Sequence, residues 1–312
     1  MPSPPYTMKS FKTLTKSVRH TLLYWIAKSA LAFIPKVPRA VGIPLFGLLG
    51  RVVFLVPNNE KRLTIEHLRF IFGSAWPEEK IRRTARSVYR TLGKNAFDAV
   101  KLRSVSDAVF NRIVRHDDLT EIRAAFDEGR GIFAITAHIG CFEMLLQFFA
   151  RHGMHCFAIG RTMFDPRIDD LVRVLRSGPG IDYLNRDNSA REVIRFLKQG
   201  KAFGVLIDQD IRAEGVFATF LGKPAFTVSG PIKTAMRLNI PAFVVTTVRR
   251  PDNSHHVYFS RRLAFADTGN VGNDLKRNIQ MANDLIAATI MQFPEQWVWM
   301  HRRWRQPEDL PQ

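Results

Sequence analysis

Cysteine is nearly missing from this chain: Cys141 and Cys156 are the only two. Two cysteines without a ligand-like spacing exclude a disulfide framework and a zinc cluster, and they point to a reducing compartment. Acid is missing from the entire N-terminal stretch. Glu60 is the first carboxylate, and Lys9, Lys12, Lys16, Arg19, Lys28, Lys36, Arg39 and Arg51 all precede it. A clean apolar run of about 20 residues, the length of a membrane-crossing helix, is missing too. The block from Leu22 to Ile34 is broken by Lys28, and the block from Ala40 to Pro57 holds Pro44, Arg51 and glycines 42, 47 and 50. No internal repeat or low-complexity tract is present, which excludes solenoid and tail-like classes.

What is present is apolar residues and positive charge. The 312 residues are 46% hydrophobic, enough for a substantial core, and 46 Lys and Arg face 28 Asp and Glu, a formal +18. An excess of that size predicts an anionic partner: a membrane surface, a nucleic acid or an acidic protein. Residues 1–57 read as membrane-associating helices. Leu22, Leu23, Trp25, Ile26, Phe33 and Phe46 would enter the acyl region while the basic residues meet anionic headgroups. A short tilted span and an interfacial anchor both fit. A signal peptide fits poorly, because the apolar region is broken and no cleavage site follows; a transit peptide would share the acid-poor composition. Residues 58–130 predict a helical subregion, opened by the capping sequence Asn58-Asn59-Glu60. Within it Arg82, Arg83, Arg86, Arg90 and Lys94 run along one helix, either as a solvated face or as a docking face for an acidic protein or phospholipid.

From Gly131 the pattern changes to short apolar runs alternating with amphipathic helices. This predicts an α/β core over residues 131–312, with a mixed, largely parallel central sheet flanked by helices; residues 58–312 form one domain on this reading. Strands are expected at 132–136, 155–159, 181–184, 202–207, 241–248 and 256–262, and helices at 142–152, 168–177, 189–199, 229–239 and 273–293. Polar residues recur after the strands: His138, then Arg161, then Asp208-Gln209-Asp210-Ile211-Arg212. In open parallel sheets ligands sit at the carboxyl ends of strands.

The stretch Thr136 to Glu143 carries the sharpest chemical signal. On one continuous helix a spacing of five residues turns about 500°, leaving the His138 and Glu143 side chains about 140° apart. They meet only if His138 lies in a loop and Glu143 in the first helical turn, and Gly140 permits such a loop. A carboxylate on one imidazole nitrogen leaves the other free to take a proton, an arrangement suited to activating a hydroxyl for attack on a carbonyl. A satisfied structural histidine and a nucleophilic Cys141 are the competing readings. Asp208 and Asp210 have no His or Cys at ligand spacing, so no metal is expected.

The ordered set of motifs resembles the bacterial lipid A biosynthesis acyltransferases of the lauroyl/myristoyl type, within the wider lysophospholipid/glycerolipid acyltransferase superfamily. The likeness rests on His138 to Glu143 as a His-X4-Asp/Glu motif and on Gly160-Arg161. It rests further on Asp208-Gln209-Asp210 followed by Phe220-Leu221-Gly222-Lys223-Pro224-Ala225, and on Gln296-Trp297-Val298-Trp299-Met300-His301-Arg302-Arg303-Trp304. The resemblance spans most of the chain. It implies transfer of a fatty acyl group from a thioester, acyl-carrier protein favoured and acyl-CoA the other donor, to a hydroxyl of a lipid A precursor or similar glycolipid. No cofactor is implied beyond that co-substrate. His138 would be the general base, oriented by Glu143. Arg161, Asp208, Asp210 and Arg212 would bind substrate, Arg161 by gripping a phosphate and the aspartates by orienting sugar hydroxyls or anchoring Arg161 or Arg212. The implied partners are anionic membrane lipids, the acidic carrier protein and the glycolipid acceptor, with no nucleic acid. The implied location is the cytoplasmic face of the bacterial inner membrane. Alternatives are an acyl-CoA-dependent acyltransferase for another lysophospholipid or glycolipid, and a non-catalytic basic module binding membrane or nucleic acid. The run from Trp297 to Trp304 reads as a buried terminal helix with a cationic edge, an interface-facing lip or a stacking patch.

Overall fold

The computed structural model describes residues 7–304, except 164, 186–188 and 212. The chain opens with a run of helices: α1 (Thr7–Phe33), α2 (Arg39–Leu55), α3 (Asn59–Phe72) and α4 (Glu78–Lys101). Asn58 caps α3 by accepting from the Lys61 amide at 2.7 Å. Helices α2 and α4 pack backbone to backbone, because small residues face each other. A Cβ added at Gly50 would lie 2.1 Å from the Tyr89 carbonyl oxygen, and one at Gly93 would lie 2.1 Å from that of Phe46.

The α/β part follows: α5 (Asp107–Ile113), β1 (Val114–His116), α6 (Thr120–Asp127), β2 (Ile132–Thr136), α7 (Met144–Arg151), β3 (Cys156–Gly160) and α8 (Pro166–Arg176). Then come β4 (Ile181–Asn185), α9 (Ser189–Lys198), β5 (Ala202–Leu206), β6 (Gly215–Phe220), β7 (Lys223–Val228), α10 (Gly230–Arg237), β8 (Ala242–Arg249), β9 (His255–Phe259) and α11 (Val271–Gln292). Seven strands form one sheet in the order β1-β9-β8-β2-β5-β3-β4. Every pairing in it is parallel except β8 with β9. The largely parallel sheet and its six expected strands are therefore present, each within a few residues of the expected bounds. Three strands are additional: the short edge strand β1 and the separate antiparallel hairpin β6–β7.

Strand β2 sits inside the sheet and is buried on both faces, as a continuous apolar run requires. Its side chains alternate between two cores. Phe133 and Ile135 join the core formed with α3, α4, α10, α11 and the C-terminal tryptophans, whereas Ile132 and Ala134 join the core under α5, α6 and α7. The parallel registers bring the carboxyl ends of β2, β3, β5 and β8 to one edge of the sheet.

At the N-terminal end α1 and α2 leave large apolar side chains exposed, among them Leu22, Trp25, Ile26, Phe33, Leu48 and Val52. No single described helix is long and apolar enough to cross a membrane; α2 and α3 meet that length and hydropathy only together, across a 90° bend.

Candidate active site

His138 follows β2 by two residues, in a turn that Gly140 makes possible. Gly140 has φ +59°, and a Cβ there would lie 2.0 Å from the Thr247 carbonyl oxygen of β8. The turn is bound from the C-terminal segment as well: the Gly140 amide donates to the Gln296 carbonyl at 3.0 Å, and the Val298 amide to the His138 carbonyl at 3.1 Å.

The imidazole is gripped at both nitrogens. Asp208, just past β5 in the neighbouring strand, accepts from Nδ1 at 2.8 Å, and its second oxygen accepts from the His138 amide at 2.8 Å. That second oxygen also accepts from the Trp297 indole at 2.7 Å. Burial alone would raise the Asp208 carboxyl. The His138 imidazole and the hydrogen bonds from the ring, Trp297 and the His138 amide outweigh it, and hold the carboxyl at about 2. Asp208 is thus an anion, which can only accept, so Nδ1 carries a proton, and in the neutral ring Nε2 holds the lone pair. The Gln209 amide nitrogen lies 2.9 Å from His138 Nε2 and 2.7 Å from His301 Nε2, one amide hydrogen to each ring. Burial, with His138 adding to it, lowers His301 to about 4, so it is neutral at pH 7 and accepts.

Glu143 stands elsewhere. It is the residue just before α7 and not in its first turn, and its carboxylate is bound bidentately by Arg176 of α8, with Nε at 3.0 Å. Burial opposes the Arg176 charge, and the Glu143 carboxylate overrides it, raising the guanidinium above its ordinary value. The expected His138–Glu143 pairing is therefore corrected: the acid behind the imidazole is Asp208. The physical reason is adjacency of strands. Asp208 continues β5, which lies in register beside β2, while the Gly140 turn places Glu143 toward α8.

The other expected residues divide. Asp208 is fully buried against His138 and cannot orient sugar hydroxyls. Asp210 is half-buried on the same loop. Arg161 is exposed just beyond β3, at the same sheet edge; the nearby acid Asp165 is bound by Arg167 at 2.8 Å. Arg212 lies outside the described residues. Cys141 is buried, its thiol pushed up to about 12 by desolvation, and it donates to the Asn95 carbonyl; it is no nucleophile. The terminal run is not a helix. It is an irregular segment, turning at Trp299 and Met300, with Trp297, Trp299 and Arg303 wholly inside the protein, and it forms one wall of the site. Sequence reasoning missed Gln209, His301, Trp297 and Arg176 as site residues. The adjacency of Gln209 to Asp208 and the clustering of Trp297 with His301 were the available signals.

Beside this pair lies an apolar slot between α7 and the sheet, lined by Ala134, Phe142, Leu146, Phe149, Ala158 and Gly204, with Glu143 and Arg176 as its polar members. About 580 Å³ of space lies between its walls and out to its opening, but only about 50 Å³ is wide enough to admit the centre of a water molecule. The slot is apolar and narrow. Phe142 links it to the imidazole, its ring 4.8 Å from the His138 ring.

Fold and site together define an α/β protein with a carboxylate-backed imidazole at the ends of parallel strands. The family model for bacterial lipid A biosynthesis acyltransferase matches residues 8–306, and the chain belongs to that family, as an acyltransferase of lipid A type. Comparison with curated proteins finds no match.

Proposed function

We propose that this protein transfers a fatty acyl group from an acyl thioester, with acyl-carrier protein as the favoured donor, to a hydroxyl of a lipid A precursor. The observation that carries this reading is the His138–Asp208 pair beside the apolar slot. The acceptor hydroxyl takes the place of the Gln209 amide at His138 Nε2 and gives up its proton as its oxygen attacks the thioester carbonyl. The Asp208 anion supports the imidazolium through Nδ1–H. Collapse of the tetrahedral intermediate breaks the carbon–sulfur bond, and the proton passes from Nε2 to the departing thiolate. No acyl-enzyme is required, consistent with a buried, unreactive Cys141. The fatty chain lies in the slot, and the Glu143–Arg176 pair holds its polar end. Arg161 binds a phosphate of donor or acceptor on this reading.

The setting we propose is the cytoplasmic face of the inner membrane. The exposed apolar side chains of α1 and α2 would enter the interface, while Lys28, whose ammonium lies 5.0 Å from the Trp25 ring, stays at headgroup level. An acidic carrier protein suits the net charge of +18.

The test is the His138→Ala variant, assayed with membranes and radiolabelled acyl donor alongside mass spectrometry of lipids from cells lacking or overproducing the chain. Transfer is expected to disappear while fold and membrane binding persist, and one acyl group to vanish from one lipid. Unchanged transfer removes His138 from the mechanism, and an unchanged lipid profile removes the lipid acceptor.

A further inference from the structure

A second polar cavity lies away from His138, where α2, α4 and the turn between β8 and β9 meet. It has about 250 Å³ of room and is lined by Ile43, Pro44, Leu48, Arg51, Arg90 and Lys94, with Asn253 closing it. An adjoining cleft of about 330 Å³ shares Arg90, Lys94 and Asn253, and adds Arg249, Arg250 and Glu295. The charges here do not balance. Asp98, the buried acid of the region, is already held by Arg39 at 2.8 Å, Arg249 at 2.8 Å and His255 at 2.9 Å. Among the described residues no carboxylate pairs with Arg51, Arg90 or Lys94; the Lys94 ammonium has only the neutral Asn253 side-chain oxygen, at 2.8 Å. Glu295 is the one acid on the rim, in the adjoining cleft. Burial, followed by Arg90, Arg249 and Arg51, depresses Lys94 to about 8, so the fold holds these cations together against their repulsion. A bound anion would relieve that repulsion.

The rim says what kind of anion. On one side it is apolar: Leu48 belongs to the cavity, and Leu45, Leu49 and Val52 on the same helix are each close to half exposed or more. A cationic pocket continuous with an apolar helix face matches a ligand with a charged head and a hydrocarbon tail. We propose that this cavity binds the phosphate of an anionic phospholipid, whose chains lie along the exposed face of α2. Arg51 and Arg90 grip the phosphate oxygens from the two helices, and Lys94 meets it from below. The inference rests on the membrane setting proposed above and gives it a stereospecific contact in place of diffuse attraction.

The experiment measures partitioning of the full chain onto phosphatidylcholine vesicles with and without phosphatidylglycerol, with no glycolipid acceptor present. Two double variants, Arg90→Gln/Lys94→Gln in the cavity and Arg83→Gln/Arg277→Gln outside it, remove equal charge. Each headgroup-level cation is worth about 1 kcal/mol, so with two removed the cavity variant is expected to lose about 30-fold more of the phosphatidylglycerol-dependent affinity than the control. Arg51→Gln/Arg90→Gln, which alters exposed side chains only, gives the same result if Lys94→Gln disturbs packing. Equal losses in cavity and control variants overturn the site and leave the membrane setting standing. Failure of the unaltered chain to bind either vesicle overturns both.

Discussion

The acid that holds the His138 ring at Nδ1 comes from 70 residues further along the chain. That is why spacing alone misassigned it. Glu143 is the nearest carboxylate in sequence, and a His-X4-Glu pattern places both groups at one strand end, but it does not say which way each side chain turns. The positions of His138, Arg161 and Asp208 at strand ends were legible, since alternating apolar runs imply parallel strands and a common edge. The hydrogen bond from imidazole to Asp208 was not, because it depends on β5 lying beside β2, a long-range pairing that no local pattern encodes. The assignment is testable. Asp208→Asn keeps the size but leaves Nδ1 without an anion and favours the wrong tautomer. Its kcat is expected to fall by about 10³- to 10⁴-fold with substrate binding little changed, as steady-state kinetics would show. Glu143→Gln and Arg176→Gln break one and the same ion pair. Each is expected to cost about tenfold or more in kcat/KM, and the double variant is expected to lose no more than the worse single one. Additive losses would mean that Glu143 acts apart from Arg176.

At the level of elements, the strands were easiest to anticipate where they are buried on both faces. Strand β2 was expected at 132–136 and is found at Ile132–Thr136. The hairpin of β6 and β7 was hidden by its own composition. Pro224 and Lys223 read as loop, and the strands pair only with each other, turning through Leu221 and Gly222, both of positive φ. The α2–α4 contact was hidden for a different reason. Glycines 42, 47 and 50 read as interruptions of an apolar block, whereas in the fold they are what lets the helices touch. Gly50→Leu tests this. Its side chain would start 2.1 Å from a backbone carbonyl that cannot step aside, so destabilisation of about 1–3 kcal/mol is expected, read as a Tm lower by several degrees. Leu49→Gln, one residue away on the exposed side of α2, is expected to change stability by no more than about 0.5 kcal/mol.

Over the whole molecule, the same charges that suit an anionic partner make the fold acid-sensitive, and the sign can be worked out group by group. His255 is buried in the Asp98 cluster and His301 beside His138; burial lowers each from the ordinary 6.5 to about 4. Between those values the unfolded chain binds protons that the folded one refuses, so stability rises with pH across the window and is lost as pH falls from about 6.5 toward 4. Asp208 acts lower down. Its carboxyl titrates at about 2 when folded against 3.8 when free, so its contribution is whole above 3.8 and disappears as pH drops through about 2. Asp98 is likewise held below its ordinary range by His255 and Arg39, against the opposing effect of burial. Protonating the 28 acids also uncovers the full repulsion of 46 Lys and Arg. Urea unfolding followed by circular dichroism is therefore expected to give a midpoint that is flat between about pH 7 and 8, below the titration of Lys94, declines from about 6.5 to 4, and declines again below 3.8. His255→Gln, which cannot titrate, is expected to make the first decline shallower, with the share of His301 remaining, while leaving the second. A midpoint unchanged down to pH 4 would mean that these rings are not held neutral, and that the buried Asp98 cluster clamping α4 to β8 and β9 is built differently.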